Sequence, residues 1–434
     1  MKKYRSYILN NFRNIPQLDA VPLERIEEIE VVGNVLPFKT NNYIIEELID
    51  WANVPDDPMF TLTFPRREML KASQYNKMFA MLRRGSERQT ITAEANKIRM
   101  ALNPHPAGQM KNVPSLNGEK LSGMQHKYSQ TVLFFPAQAQ TCHAYCTFCF
   151  RWPQFTGMDS LKFAMKESNL LVEYLKSHRE VTDILFTGGD PLIMNARLLK
   201  EYIMPLVDED LPNVQTIRIG TRALSFWPYR FLSDTDSDEL LAVLDKVIAS
   251  GKNLTIMSHF NHPVELSTEA VRKAVARVRA TGAQIRTQSP LLKHINDSPE
   301  LWAEMWRRQV NLNCIPYYMF VARDTGAKQF FEVPLAEAWN IFRNAYQKVS
   351  GVCRTVRGPI MSCMPGKVQI LGVADINNEK VFTLRMIQGR NPGWVALPFF
   401  AKYDPHITWF DELEPAFDQK RFFFEEELEE ILQQ

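Results

Sequence analysis

Three cysteines, Cys142, Cys146 and Cys149, stand in the run Thr141-Cys142-His143-Ala144-Tyr145-Cys146-Thr147-Phe148-Cys149-Phe150-Arg151, a C-x3-C-x2-C spacing. Three thiolates so placed can hold three corners of a four-iron cluster and leave the fourth iron without a protein ligand, open to a substrate. An open iron implies chemistry rather than electron storage alone. Zinc is the first competing reading, but it asks for four ligands, often as two C-x2-C pairs, and the chain has no second pair. Disulfides are the second; an odd cluster of three in a 434-residue chain does not suit a secreted scaffold. Chance spacing is the third, and the motifs downstream argue against it.

Gly188-Gly189-Asp190 follows an apolar run, where missing Cβ atoms let the backbone come close to a ligand; the bland alternative is a common turn. His259 and His262 have the residue types of metal ligands, but with no carboxylates alongside, hydrogen-bonding roles are preferred.

The cysteine run resembles the signature of the radical S-adenosylmethionine (SAM) enzymes. That resemblance implies an open iron that chelates the amino and carboxylate groups of SAM, and a reduced cluster that splits SAM into methionine and a 5'-deoxyadenosyl radical able to take hydrogen from an unactivated C–H bond. It narrows to the lysine 2,3-aminomutase family through Phe186-Thr187-Gly188-Gly189-Asp190-Pro191-Leu192, Arg218-Ile219-Gly220-Thr221-Arg222, His259-Phe260-Asn261-His262-Pro263, Gln288-Ser289-Pro290-Leu291-Leu292-Lys293-His294-Ile295-Asn296-Asp297 and Pro316-Tyr317-Tyr318. All five occur in family order, so the match covers roughly residues 120–370.

The resemblance implies a pyridoxal phosphate (PLP) enzyme that moves an amino group between adjacent carbons through an imine of substrate and PLP. It makes Cys142, Cys146 and Cys149 the cluster ligands, Gly188 and Gly189 the turn at the SAM amino group, and Asp190, His259 and Gln288 SAM-side residues. Arg151 matches the arginine that pairs with the substrate carboxylate, a task suited to a planar fork donor. Tyr128 matches the aromatic residue beside the PLP ring, and Lys367, in Met364-Pro365-Gly366-Lys367, the Schiff-base lysine. An electron donor of the flavodoxin or ferredoxin type and a homo-oligomer are further implications.

The chain also departs from the family. Only Gly366 stands where several glycines precede the PLP lysine, and Thr131 replaces a phosphate-binding arginine. The two aspartates that hold the distal ammonium of lysine are replaced by Arg323, with Asp324 adjacent, and by the acid-free stretch Gly358-Pro359-Ile360-Met361-Ser362. A buried ammonium without a partner costs several kcal/mol. The expected substrate is therefore an amino acid other than lysine, and an inward Arg323 would favour an acidic group. A PLP-free radical reaction on another small molecule and modification of a lysine on a protein such as a translation factor are the alternative functions.

These residues need a scaffold. Apolar runs at Thr131–Pro136, Asp183–Thr187, Thr216–Thr221, Leu254–Phe260, Gln284–Leu291 and Cys314–Phe320 alternate with helical patterns near 161–178, 194–206, 237–249, 267–281, 299–310 and 334–348. Six β/α repeats predict an α/β fold, a partial (β/α)6 barrel with its chemistry on the rim formed by the strand C-termini. Residues 1–125 read as a helical N-terminal region, 126–350 as the barrel, and 351–434 as a small β/α extension that carries Lys367. In that extension, Lys367–Ala374 and Val381–Met386 read as strands joined at Asn377-Asn378, and an acidic helix closes the chain at Glu425–Gln434.

A net charge of +2 gives no reason to expect nucleic acid or a membrane surface as partner. No apolar stretch reaches the roughly 20 residues needed to span a bilayer, and a labile cluster asks for a reducing compartment, so a cytoplasmic location is expected. Cys314, Cys353 and Cys363 read as buried or incidental thiols, and no structural zinc is expected.

Overall fold

One eleven-stranded sheet organises the chain in the computed structural model, which describes residues 2–433. Its strands, in chain and spatial order, are β1 (Met124–Tyr128), β2 (Thr131–Phe134), β3 (Asp183–Phe186), β4 (Thr216–Thr221), β5 (Asn253–His259), β6 (Gln284–Leu291), β7 (Ile315–Val321), β8 (Arg357–Ser362), β9 (Gly366–Ile376), β10 (Glu379–Gly389) and β11 (Pro398–Lys402). β2 to β8 are parallel neighbours, while β1 and β9 to β11 run antiparallel to theirs. The sheet curls: side chains from β1 through β10 line a single cavity, which a flat sheet could not allow. Its edge strands β1 and β11 are not paired with each other, so the barrel is partial.

The longer helices between parallel strands are Ser168–Ser177, Ala196–Ile203, Ser237–Ala249, Glu269–Ala280, Pro299–Asn311 and Leu335–Gln347. Each buries one apolar face, and several start at capping side chains, as where Thr268 Oγ1 accepts from Val271 N and Ser298 Oγ from Glu300 N. The helix expected from 161 begins only at Ser168. Met165 N and O are instead bonded to Phe135 O and Ala137 N, which holds the preceding segment extended against the end of β2.

The parallel set has a seventh member, β8, beyond the six expected. The strands after it continue the same sheet but pack around a second apolar core, with Val368, Ile370, Leu384, Phe399 and Phe424 among its members. Asn377 and Asn378 both have positive φ at the β9–β10 turn, as a tight hairpin requires. The N-terminal region is less regular than a helical reading implies. It holds helices Leu23–Gly33, Ala72–Arg83 and Arg88–Ala101, short 3-10 turns, a π-turn at Ile44–Leu48 and a two-stranded ribbon of Ser6–Ile8 with Lys39–Asn41. Its apolar residues, Phe12, Ile29, Phe60 and Met78 among them, join the core of the barrel.

Candidate active site

The cysteine loop, the Gly-Gly-Asp turn and the ends of β4, β5 and β6 converge on one cavity of about 300 Å³. Along β4, Arg222 at the rim stands about 13 Å beyond Arg218 inside the barrel, and both line the cavity. It therefore has a rim end at the cysteines and a deep end among the strands.

At the rim, Cys142, Cys146 and Cys149 are free, partly accessible and face the cavity together. Burial pushes all three thiols up, Cys146 to about 12, while Arg222 beside Cys146 and Arg151 beside Cys149 pull the other way. Among the described residues no three His, Cys, Asp or Glu side chains converge as ligands of a single ion. Thiols spread around a cavity end, with guanidinium groups beside them, suit a cluster that carries its own sulfides and a net negative charge.

Gly188 and Gly189 have a reason nearer than any ligand. A Cβ on Gly189 would meet Thr141 O at 2.3 Å, and one on Gly188 would meet Gln140 Nε2 at 2.5 Å. The turn lies against the cysteine loop and bonds to it, Gly189 N to Ala139 O at 3.1 Å and Asp190 N to Thr141 O at 2.8 Å. Asp190 is buried, and its carboxylate accepts from Leu192 N, Thr221 Oγ1 and Arg222 N at 2.9, 2.7 and 2.8 Å. It ties the ends of β3 and β4 together.

His259 and Gln288 face each other across the ends of β5 and β6, Nε2 to Nε2 at 2.6 Å. Burial, then Arg222 and Arg151, push His259 down to about 3, so its ring is neutral and accepts from the Gln288 amide. His262 points elsewhere, its Nδ1 accepting from Val264 N. The buried Asn261 and Asn296 of the sequence motifs are braces: Asn261 Nδ2 donates to Ser289 Oγ at 2.8 Å and Asn296 Nδ2 to Asn261 O at 2.9 Å. Arg222, not singled out by sequence, is bonded to Asn261 and Glu265, and its Nε is buried without a partner.

Lys367 lies at the deep end, on strand β9 and not on a flexible turn. Gly366 serves strand pairing, since a Cβ there would meet Gln388 O at 2.1 Å. Lys367 Nζ donates to Gln388 Oε1 at 2.6 Å and sits 5.4 Å from the Tyr128 ring centre and 5.2 Å from that of Tyr318. Burial, with Arg218, Arg357 and Lys127 nearby, brings its pKa down to about 7. Lys127, at an irregularity in the β1–β2 ladder, is likewise brought to about 7 by burial and donates to Cys363 O. Gln125 Nε2 is buried with no partner, and Thr131 and Arg218 line the same cavity.

Between the two ends stand Arg151 and Arg323, both in the cavity wall. Asp324 is not: β7 ends at Val321, and in the turn that follows, Asp324 Oδ2 accepts from Asn103 Nδ2 at 3.0 Å. The expectation that Asp324 serves the substrate is corrected by that placement. All the other expected site residues line the one cavity.

The chain is 31% identical over 412 residues to a protein of Aquifex aeolicus (strain VF5) named "Putative L-lysine 2,3-aminomutase", covering 95% of this chain and 96% of that one. It is 29% identical over 231 residues to the L-lysine 2,3-aminomutase of Clostridium subterminale, covering 53% and 52%. No protein-family model matches it. Among solved structures it is similar to a radical SAM methyltransferase from Sphaerobacter thermophilus, at 17% identity and a TM-score of 0.38 over 54% of this chain and 68% of that one.

Proposed function

The chain belongs to the lysine 2,3-aminomutase family of radical SAM enzymes, and from that membership and the cavity we propose that it is a PLP-dependent aminomutase acting on an amino acid other than free lysine. The observation that carries the reading is Lys367. An amine from the last quarter of the chain reaches the cavity that holds the cysteine loop, lies near two tyrosine rings, and is about half neutral at pH 7.

In this reading Cys142, Cys146 and Cys149 hold a [4Fe-4S] cluster, and an external one-electron donor reduces it. His259 and Gln288 form a neutral, hydrogen-bonded wall for SAM. Arg222 places a fixed positive charge beside Cys146, facing the negative charge of cluster and SAM carboxylate. PLP, when bound at Lys367, supplies the π-system through which an amino group can shift between neighbouring carbons. Tyr128 and Tyr318 give the cofactor ring apolar faces, and Gln125 Nε2 and the Nη1 of Arg218, whose Nε and Nη2 are held by Asp183, are donors for its phosphate, doing what the missing arginine at Thr131 would do. Arg151 holds the substrate α-carboxylate between the two cofactors.

The test is anaerobic. Enzyme reconstituted with iron, sulfide and PLP, then reduced, should cleave SAM to methionine and 5'-deoxyadenosine and yield a β-amino acid from one substrate of an amino-acid panel. SAM cleavage without any migrated product across that panel would refute the aminomutase reading.

A further inference from the structure

Seven cationic side chains line the cavity, and four of them, Lys127, Arg151, Arg323 and Lys367, form no salt bridge among the described residues; Arg323 has near it only the carboxylate charge of Asp324, which lies outside the cavity wall. Arg218, Arg222 and Lys328 are paired with Asp183, Glu265 and Glu412. The one acid in the wall, Asp190, is spent on bonds at the rim. A cationic substrate side chain would find no counter-charge here.

Two of the unpaired groups are guanidiniums set against one ring. The Arg151 and Arg323 carbons lie 4.9 and 4.4 Å from the Phe150 ring centre, which keeps them under about 10 Å apart. Each is partly buried in the cavity wall. Arg323 has a single protein hydrogen-bond partner among the described residues, Ser362 Oγ at 2.9 Å. Two forks that repel one another across a shared ring, and that form no salt bridge with a protein carboxylate, are built to be neutralised by anions.

We propose that the cavity takes an α-amino dicarboxylic acid, its α-carboxylate on Arg151 and its distal carboxylate on Arg323 with Ser362. This assignment rests on the aminomutase reading for the role of Arg151. It makes Arg323 the residue that selects the substrate: a neutral side chain leaves its charge unmatched, and an ammonium adds to the repulsion.

The test is calorimetric titration of the cluster-loaded, PLP-loaded enzyme in the presence of SAM with L-aspartate, L-glutamate, L-leucine and L-lysine. One dicarboxylate should bind at least about 100-fold more tightly than lysine. Arg323→Met should weaken that dicarboxylate by about 10- to 100-fold while leaving PLP content unchanged and leucine binding no weaker, and Arg323→Lys should restore part of the loss. Equal or tighter binding of lysine or leucine to the unaltered enzyme would overturn the proposal, and this arm depends on no variant. Loss of PLP from Arg323→Met would also overturn it, by making Arg323 a ligand of the cofactor phosphate. A dicarboxylate that binds and triggers SAM cleavage without a migrated product would sink the aminomutase reading and leave the substrate class standing. Migration of lysine would do the reverse.

Discussion

Replacing Lys367 with Met separates a cofactor lysine from a buried structural one. An ordinary lysine at pH 7 is neutral to about 0.03%, whereas an amine brought down to about 7 is about half neutral, roughly a thousandfold more nucleophile at the same pH. Borohydride added with PLP should therefore trap a phosphopyridoxyl group on the Lys367 peptide, with a yield that rises through a midpoint near pH 7. Lys367→Met should abolish it. Lys127 is the built-in competitor, since its Nζ is 5.6 Å from the same Tyr128 ring and its pKa is also about 7. Its amine is held by Cys363 O at the hairpin, so Lys127→Met should keep the adduct.

The same substitution has an expected sign in stability. Between pH 7 and 10.5 the unfolded chain binds the proton that the folded amine has lost, so the native protein gains stability as pH rises across that window. Below pH 7 the cost of the buried charge is fully present. Without cofactors, Lys367→Met should be the more stable protein at pH 7, by up to about 5 kcal/mol, with the difference vanishing near pH 10.5. Urea unfolding at a series of pH values reads this directly. An adduct on Lys127 instead, a trapping midpoint above pH 9, or a Lys367→Met protein less stable at pH 7 would each refute the reasoning.

Gly189→Ala should destabilise the protein by about 2–3 kcal/mol and lower the iron bound on reconstitution, because its new methyl meets only backbone atoms of the cysteine loop; full iron content by chemical analysis would count against that. Asn41→Ala removes a buried amide that donates to His143 O and Phe226 O and accepts from Tyr43 N and Ile44 N. It should cost about 2–4 kcal/mol and speed cluster loss to a chelator, followed by visible absorbance.

Much of the barrel was legible because its strands are short apolar runs between helix-length segments, and the motifs fall at strand ends where the fold must place them. Strand β8 was not, since Gly358-Pro359 reads as a breaker; the ladder tolerates the pair where its register with β7 shifts between Tyr318 and Phe320. Spacing could nominate Arg323 and Asp324 together, but one residue of turn decides which enters the cavity, and only the bond from Asn103, more than two hundred residues earlier, shows that it is not Asp324. Arg222 sat in a recognised motif, yet nothing along the chain says that it faces Cys146. Lys367 was found by position, while its altered basicity arises from burial inside the barrel and then from Arg218, Arg357 and Lys127 on three other strands.

The N-terminal region, whose sequence carries no motif, belongs functionally with the cysteines. Residues 141–151 form neither strand nor regular helix, so their backbone groups need partners from elsewhere. On the outer side Tyr145 N donates to Lys39 O at 2.8 Å and Thr147 N to Leu62 O at 3.0 Å, while His143 O accepts from Tyr4 OH at 2.7 Å. On the inner side the Gly-Gly-Asp turn holds Ala139 O and Thr141 O. The loop is thus gripped from both faces by the rest of the chain, and its thiols, whose pKa values burial raises, must release protons to bind metal. Arg222 and Arg151 reduce that cost at Cys146 and Cys149, and Lys39, drawn from the N-terminal region to Cys142, does the same at the third thiol. Cys149 thus has its cation within the loop, while Cys142 and Cys146 draw theirs from the N-terminal region and the end of β4, which ties cluster assembly at two of the three thiols to completion of the wider fold.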